Sequence, residues 1–303
     1  MSLLTVGTVA FDDIKTPFGH AEKVIGGACT YISWAASYFT DDIRLTSIVG
    51  ADFPQAEIDQ LQSRGVSMEG LKVVADGKTF FWAGEYHQNM NQRDTLQTDL
   101  NVLDDFDPEL PDSYKDSKYI MLGNLTPDIQ IRVVEQLSAP KLIVLDTMNF
   151  WMDIALDRLK VAISKIDVLT INDEEARQLS GEYSLVRAAE KIFEMGPKTL
   201  IIKKGEHGAL LMSPGETFYC PALPLAEVKD PTGAGDTFAG GFMGYLAKTD
   251  DISFDNMKRA VVHASAMASF CVEEFSLGKM KDLSQADISG RVGQFVKMMS
   301  VDL

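Results

Sequence analysis

The sequence predicts an α/β protein: a three-layer α/β/α arrangement with a mostly parallel central sheet and a small β lid. Three observations predict it. Short apolar runs alternate with longer amphipathic stretches, the apolar runs are continuous and mostly end in Gly, Asp or Asn, and two stretches break the alternation with β-formers and turns. Continuously apolar strands are those buried on both faces, which requires a parallel sheet with helices on either side.

The expected strands are LLTVGTVA (3–10), RLTSIVG (44–50), KYIMLGNL (118–125), KLIVLDT (141–147), IDVLTIN (166–172) and TLIIKKG (199–205). Helix-like segments fall between them: YISWAASYF (31–39), AEIDQLQSRG (56–65), DIQIRVVEQLS (128–138), EEARQLSG (174–181) and SLVRAAEKIFEMG (184–196). Right-handed crossovers place the C-terminal ends of such strands on one edge, where ligands bind, so polar residues at strand ends become site candidates. TPFGHAEKVIGG (16–27) and the stretch 71–96, with its Asp76-Gly77 turn, read as hairpin strands outside the main sheet. They define lid segments of about 13–25 and 71–100, although an ordinary surface hairpin has the same pattern. Without a linker or internal repeat, residues 1–303 read as a single domain.

The chain carries 28 Lys+Arg against 44 Asp+Glu, a formal net charge of −16. That balance argues against nucleic-acid or anionic-membrane partners, whose phosphates would be repelled over most of the surface. No apolar stretch approaches the roughly 18 residues of a membrane helix. The N-terminus, MSLLTVGTVAFDD, lacks a basic region before its apolar residues, so a cytoplasmic protein is expected. Cys29, Cys220 and Cys271 are far apart and read as reduced, buried thiols. There is no G-x-x-x-x-G-K-[ST], G-x-G-x-x-G or G-x-S-x-G motif, which weighs against P-loop kinases, common dehydrogenases and α/β-hydrolases.

The chemistry concentrates in Asp230-Pro-Thr-Gly-Ala-Gly-Asp-Thr-Phe238. Pro231 and Gly233 exclude helix before the motif, while the residues from Thr237 onward are mostly compatible with it. A helix starting near Gly233–Asp236 would point the free N–H groups of Gly233, Ala234, Gly235 and Asp236 outward, an anion site that needs no Lys or Arg. A carboxylate beside such a hole repels a bound anion, but makes sense as a base that takes a proton from an attacking hydroxyl. A glycine turn with Asp236 as a first-turn dipole partner fits the same residues.

The run D-P-T-G-A-G-D-T-F-x-x-G-F resembles the second signature of the PfkB carbohydrate kinase family, the ribokinase-like sugar and nucleoside kinases. Gly26-Gly27, Val49-Gly50-Ala51-Asp52, Gly123-Asn124-Leu125, Asn172-x-x-Glu175 and Lys204-Gly205-x-x-Gly208 support it in order and spacing. The resemblance implies a ribokinase-like fold and ATP- and Mg²⁺-dependent phosphorylation of a hydroxyl on a sugar or nucleoside. It implies Asp236 as catalytic base, with Gly233, Ala234 and Gly235 as the anion hole. It implies Asp12, Gly26, Gly27 and Asn124 at the acceptor, and Asn172, Lys203, Gly205, Gly208 and His263 at the nucleotide. Glu175 would order Mg²⁺ through water, and Asp230 and Thr232 would hold a monovalent cation such as K⁺. Some relatives dimerise by pairing their lids, an arrangement the hairpins here allow.

Each assignment has a plainer counterpart. Asn172 and Glu175 form the spacing of a capping box, His263 suits a core histidine, and Asp230 suits a turn cap. The first family signature is only partial, because Tyr31 stands where ribokinase-type members carry an Asn that contacts the sugar. Tyr31 and the lid aromatics Phe80, Phe81, Trp82, Tyr86 and His87 make an aromatic-bearing acceptor as reasonable as a sugar. A vitamin-type kinase of the same fold and a catalytically silent binding or regulatory relative are the alternative readings.

Overall fold

The computed structural model describes residues 1–301. The expected alternation folds into a nine-stranded sheet in the order β13-β12-β11-β10-β9-β8-β1-β4-β5. Its parallel body is β1 (Leu3–Val6), β4 (Ile43–Gly50), β5 (Val66–Val74), β8 (Tyr119–Leu122), β9 (Leu142–Asp146), β10 (Val168–Asn172) and β11 (Thr199–Lys203). The hairpin strands β12 (Ala209–Ser213) and β13 (Glu216–Cys220) extend one side antiparallel. A second sheet, ordered β3-β2-β6-β7, comprises β2 (Ala10–Thr16), β3 (Gly19–Gly26), β6 (Phe81–Tyr86) and β7 (Arg93–Asp99).

Successive residues of a strand point to opposite faces, so each central strand feeds two cores. Leu3, Leu45, Met121, Val144 and Ile201 join one. That core includes residues of α1 (Ala28–Ala36), α2 (Gln55–Ser63), α8 (Ala234–Thr249), α9 (Phe254–Cys271), α10 (Gly278–Lys281) and α11 (Gln285–Met299). Leu4, Ile120, Ile143, Leu169 and Leu200 join the other. It includes residues of α3 (Pro127–Glu135), α4 (Asn149–Ile154), α5 (Leu156–Ile163), α6 (Asp173–Ser180) and α7 (Leu185–Phe193). The result is the expected three-layer arrangement. The three cysteines are free and buried, and no described helix is long and apolar enough to cross a membrane.

Several boundaries differ from expectation. The run 3–10 is two strands: β1 stops at Val6, and Ala10 opens the small sheet. Thr8 lies between them and organises the start of α1, its hydroxyl accepting from Ala28 N (2.9 Å) and its carbonyl from Cys29 N (2.8 Å). Residues 71–74 belong to β5 on the edge of the main sheet, so the second lid segment starts at Phe81. The charged and exposed positions of β5 hid its membership, as is common for edge strands.

Candidate active site

Three neighbouring strands deliver polar groups to one edge, because β9, β10 and β11 end at Asp146, Asn172 and Lys203. Lys203 Nζ donates to Asp146 Oδ2 at 2.9 Å. Burial alone would lower the Lys203 pKa, but the carboxylates of Asp146 and Glu175 outweigh it and hold the ammonium above its ordinary value. Asn172 and Glu175 form a complete capping box on α6. Asn172 N donates to Glu175 Oε2 and Glu175 N to Asn172 Oδ1, both at 2.8 Å. Burial pushes Glu175 up to about 7, with Lys203 opposing.

Helix α8 begins at this edge. Gly233 caps it with φ 75°, a left-handed conformation that favours glycine. A Cβ on Gly233 would meet the Tyr31 ring at 2.5 Å, and one on Gly235 would meet Lys203 Nζ at 3.1 Å. The Ala234 amide closes a turn on the Pro231 carbonyl (3.2 Å), which corrects the expectation of four free donors. The amides of Gly233, Gly235 and Asp236 lie in the first turn of α8, where N–H groups have no partner further back in the helix. Asp236 lies beside them. Burial first, then the Asp146 charge, push its pKa up to about 7, while Lys203 and Arg93 act in the opposite direction.

On the other side stands Asp12, in β2. Burial, with the charges of Asp230 and Asp236, pushes it up to about 8, partly offset by the Gly27 amide. A Cβ on Gly26 would lie 1.9 Å from Asp12 Oδ2, so only glycine leaves room for this carboxyl. Gly27 caps α1 with φ 91°. Both Asp230 oxygens are engaged, Oδ1 by Thr232 N (2.8 Å) and Oδ2 by Ser276 N (3.1 Å). Thr232 Oγ1 donates to the Tyr86 hydroxyl of the small sheet at 3.3 Å. The same sheet reaches across the edge at its β6–β7 turn. There Asn91 Oδ1 occupies the space that a Cβ on Gly205 (φ 53°) would need.

The structure therefore brings together Asp12, Gly26, Gly27, Asn172, Glu175, Lys203, Gly205, Asp230, Thr232, Gly233, Ala234, Gly235 and Asp236. Gly208 (φ 93°) serves the adjoining turn, packed on the Cys220 carbonyl. Asn124 lies at the same sheet edge, but its side chain is occupied by Trp151 Nε1 (2.8 Å) and Met148 Sδ (3.0 Å). The His263 ring is engaged in the helix layer. It stacks on Tyr245 (4.1 Å) beside Phe39, and Nδ1 pairs with the Arg259 carbonyl oxygen at 2.8 Å. Tyr245 is three turns along α8 from Gly233, so His263 belongs to the helix packing away from this edge. Tyr31 is also redirected, because it is buried as a wall beneath Gly233.

Sequence reasoning missed Arg93, which lies opposite Tyr86 in the β6/β7 pair and whose charge acts on both Asp236 and Glu175. Nothing in the local sequence marks it. Asp146 carried a faint signal as the polar end of an apolar strand. No cluster of three or more metal-ligating side chains occurs among the described residues. Glu175 spends Oε2 on its cap, which leaves Oε1 as an oxygen that would suit a hard cation held through water.

The family model described as "pfkB family carbohydrate kinase" matches residues 4–282. The cytidine kinase of Thermococcus kodakarensis is 27% identical over 252 residues, covering 81% of this chain and 88% of that protein. The nucleoside kinase of Burkholderia thailandensis, solved with inosine, superposes with a TM-score of 0.78 at 20% identity, covering 97% of both chains. A protein from E. coli solved with ATP and Mg²⁺ superposes with a TM-score of 0.78 at 20% identity, covering 98% of this chain and 99% of the other.

Proposed function

Because the chain belongs to the pfkB family of carbohydrate kinases, we propose that it transfers the γ-phosphoryl group of ATP to a hydroxyl of a small sugar or nucleoside, with Asp236 as the base. The observation that carries this reading is the placement of Asp236 at the start of α8, between the Gly233–Gly235 hole and the Asp146–Lys203 pair. Asp12 holds the acceptor by its hydroxyls, since a carboxyl group pairs with two hydroxyls at once, as acceptor to both when ionised or as donor and acceptor when protonated, and the Gly26-Gly27 backbone allows close approach. Asp236 removes the proton from the hydroxyl that faces it, and the oxygen attacks the γ-phosphorus in line. The amides of Gly233, Gly235 and Asp236 stabilise the charge that develops on the transferring group, with Lys203 beside them. Glu175 would hold Mg²⁺ through water, and the ion would supply further charge neutralisation on the phosphates. Gly205 and Gly208 shape the nucleotide side, and the small sheet acts as a lid that keeps water from the phosphoryl group. Asp230 and Thr232 hold a monovalent cation in the same proposal, and two copies pair through the lid.

The test is ADP release in a coupled assay over a panel of sugars, nucleosides and vitamins. Asp236→Asn, which keeps shape and hydrogen bonding, is expected to cut turnover by about 10²-fold or more while retaining nucleotide binding. Near-normal turnover in this variant overturns the assignment. Release only with a hydroxymethyl heterocycle favours the vitamin-type reading, and release with no acceptor favours a silent relative.

A further inference from the structure

The lid presents an aromatic ring beside the acceptor clamp. In the parallel β2/β6 pair Asp12 stands opposite Trp82 and Ile14 opposite Gly84, and paired residues share a sheet face. Tyr86 follows two residues after Gly84 on that face, and its contact with Thr232 shows that the face looks onto the start of α8. Arg93 and Thr95, opposite Tyr86 and Gly84 in β7, complete it.

The Trp82 indole does not stand up from the sheet. It lies over Gly84, where a Cβ would come within 2.2 Å of Cη2 and 2.4 Å of Cζ2. Its Nε1 donates to Thr95 Oγ1 (3.3 Å), and the Arg93 guanidinium sits over the ring, 5.7 Å from its centre. The indole is thus seated on a glycine, pinned at Nε1 and approached by a mobile guanidinium on a long side chain, while it remains only half-buried between the buried Asp12 and Tyr86. An aromatic ring laid flat, fixed and partly open beside a polyol clamp is a stacking surface.

We propose that Trp82 is the platform for the base of a nucleoside whose sugar hydroxyls are held at Asp12, so that the acceptor is a nucleoside rather than a free sugar. The proposal rests on the phosphotransfer reading above. Asp12 and Trp82 are one strand spacing apart, about 4.8 Å between backbones, which suits a ligand with a polyol and a planar ring joined directly. A free sugar would satisfy the carboxylate and leave the indole largely unused. A nucleoside engages both, and stacking tolerates different bases because each has a π-face.

The experiment compares kcat/KM for cytidine, uridine, adenosine, inosine and guanosine with that for ribose and fructose, in wild type, Trp82→Ala and Trp82→Phe. A nucleoside is expected to lead the panel. Trp82→Ala should lower its kcat/KM about tenfold to a hundredfold, mainly through KM, and Trp82→Phe should recover most of the loss by keeping a ring. A free sugar that outperforms every nucleoside overturns the proposal while leaving the kinase reading intact. An equal loss for nucleoside and ribose in Trp82→Ala, if Trp82→Phe fails in the same way, also overturns it. If no acceptor releases ADP, the kinase reading fails, and tryptophan fluorescence decides the platform separately. Saturable quenching by a nucleoside that disappears in Trp82→Phe supports it, and absence of quenching in wild type overturns it.

Discussion

The proposed role of Asp236 as a base and a penalty in stability share one cause, the burial that raises its pKa. Its pKa of about 7 in the folded chain exceeds the ordinary 3.8, so the folded state binds the proton more tightly than the unfolded state. The sign is therefore that of a group whose ionisation opposes folding: the native state loses stability as pH rises from about 4 through about 7. Asp236→Asn mimics the protonated form. Its melting temperature relative to wild type should be nearly unchanged near pH 4 and clearly higher at pH 8, as measured by calorimetry without ligands. In wild type, kcat/KM for the acceptor should rise with pH through about 7, because only the ionised carboxylate accepts the proton. A flat profile across that range would separate Asp236 from the proton transfer. Gly26 illustrates how little latitude the neighbouring clamp has, because even a methyl group there would collide with Asp12. Asp236 and Gly26 were legible in the sequence as parts of short contiguous motifs. Asp146 was far less so, and Arg93 not at all, because their meaning depends on residues dozens of positions away.

At the scale of elements, α8 and the small sheet hold the two halves of the site. The glycines that continue the α8 motif serve packing: a Cβ on Gly240 would lie 2.3 Å from the Ile32 carbonyl, and one on Gly244 would lie 2.8 Å from Ala36 Cα. Close contact between α1 and α8 thereby keeps Gly27 and Gly233 in fixed relation. The small sheet supplies Tyr86, Arg93 and Asn91 from above. Arg93→Ala should lower kcat about tenfold or more, because it removes a positive charge from the developing phosphoryl negative charge. It should also move the midpoint of the pH profile upward, since Arg93 favours ionised Asp236. Arg93→Lys should recover part of both effects, and an unmoved midpoint would mean that Arg93 does not act on Asp236 during turnover. The element pattern of the parallel sheet was readable because buried strands are continuously apolar. The split at Gly7 and the edge position of β5 were not, because the neighbouring layers, rather than the residues themselves, decide where those runs end.

At the scale of the whole molecule, a net charge of −16 offers no general attraction for a polyphosphate. Binding must rely on local devices: backbone amides at a helix start, Lys203 drawn in by two carboxylates, and a divalent ion. Chelation with EDTA should therefore abolish ADP release and Mg²⁺ should restore it. Raising KCl to the same ionic strength should not restore it, because screening does not replace a coordinated ion. In the presence of Mg²⁺, faster turnover in K⁺ than in Na⁺ is expected from the cation site proposed at Asp230 and Thr232. Equal rates in the two salts would remove that site while leaving the Mg²⁺ requirement intact.

By itself, the sequence determined the layered α/β architecture, the helix start at Gly233, and the carboxylate of Asp236 in its first turn. Hydrophobic periodicity, glycine backbone freedom and helix capping are properties of contiguous residues. Only the tertiary structure decided that Asp146 and Lys203 pair beside the start of α8, that His263 stacks on Tyr245 in the helix layer, and that Trp82 lies over Gly84 with Arg93 over its ring. Those relations arise from strand order and sheet register, which bring residues together by face and edge rather than by position along the chain.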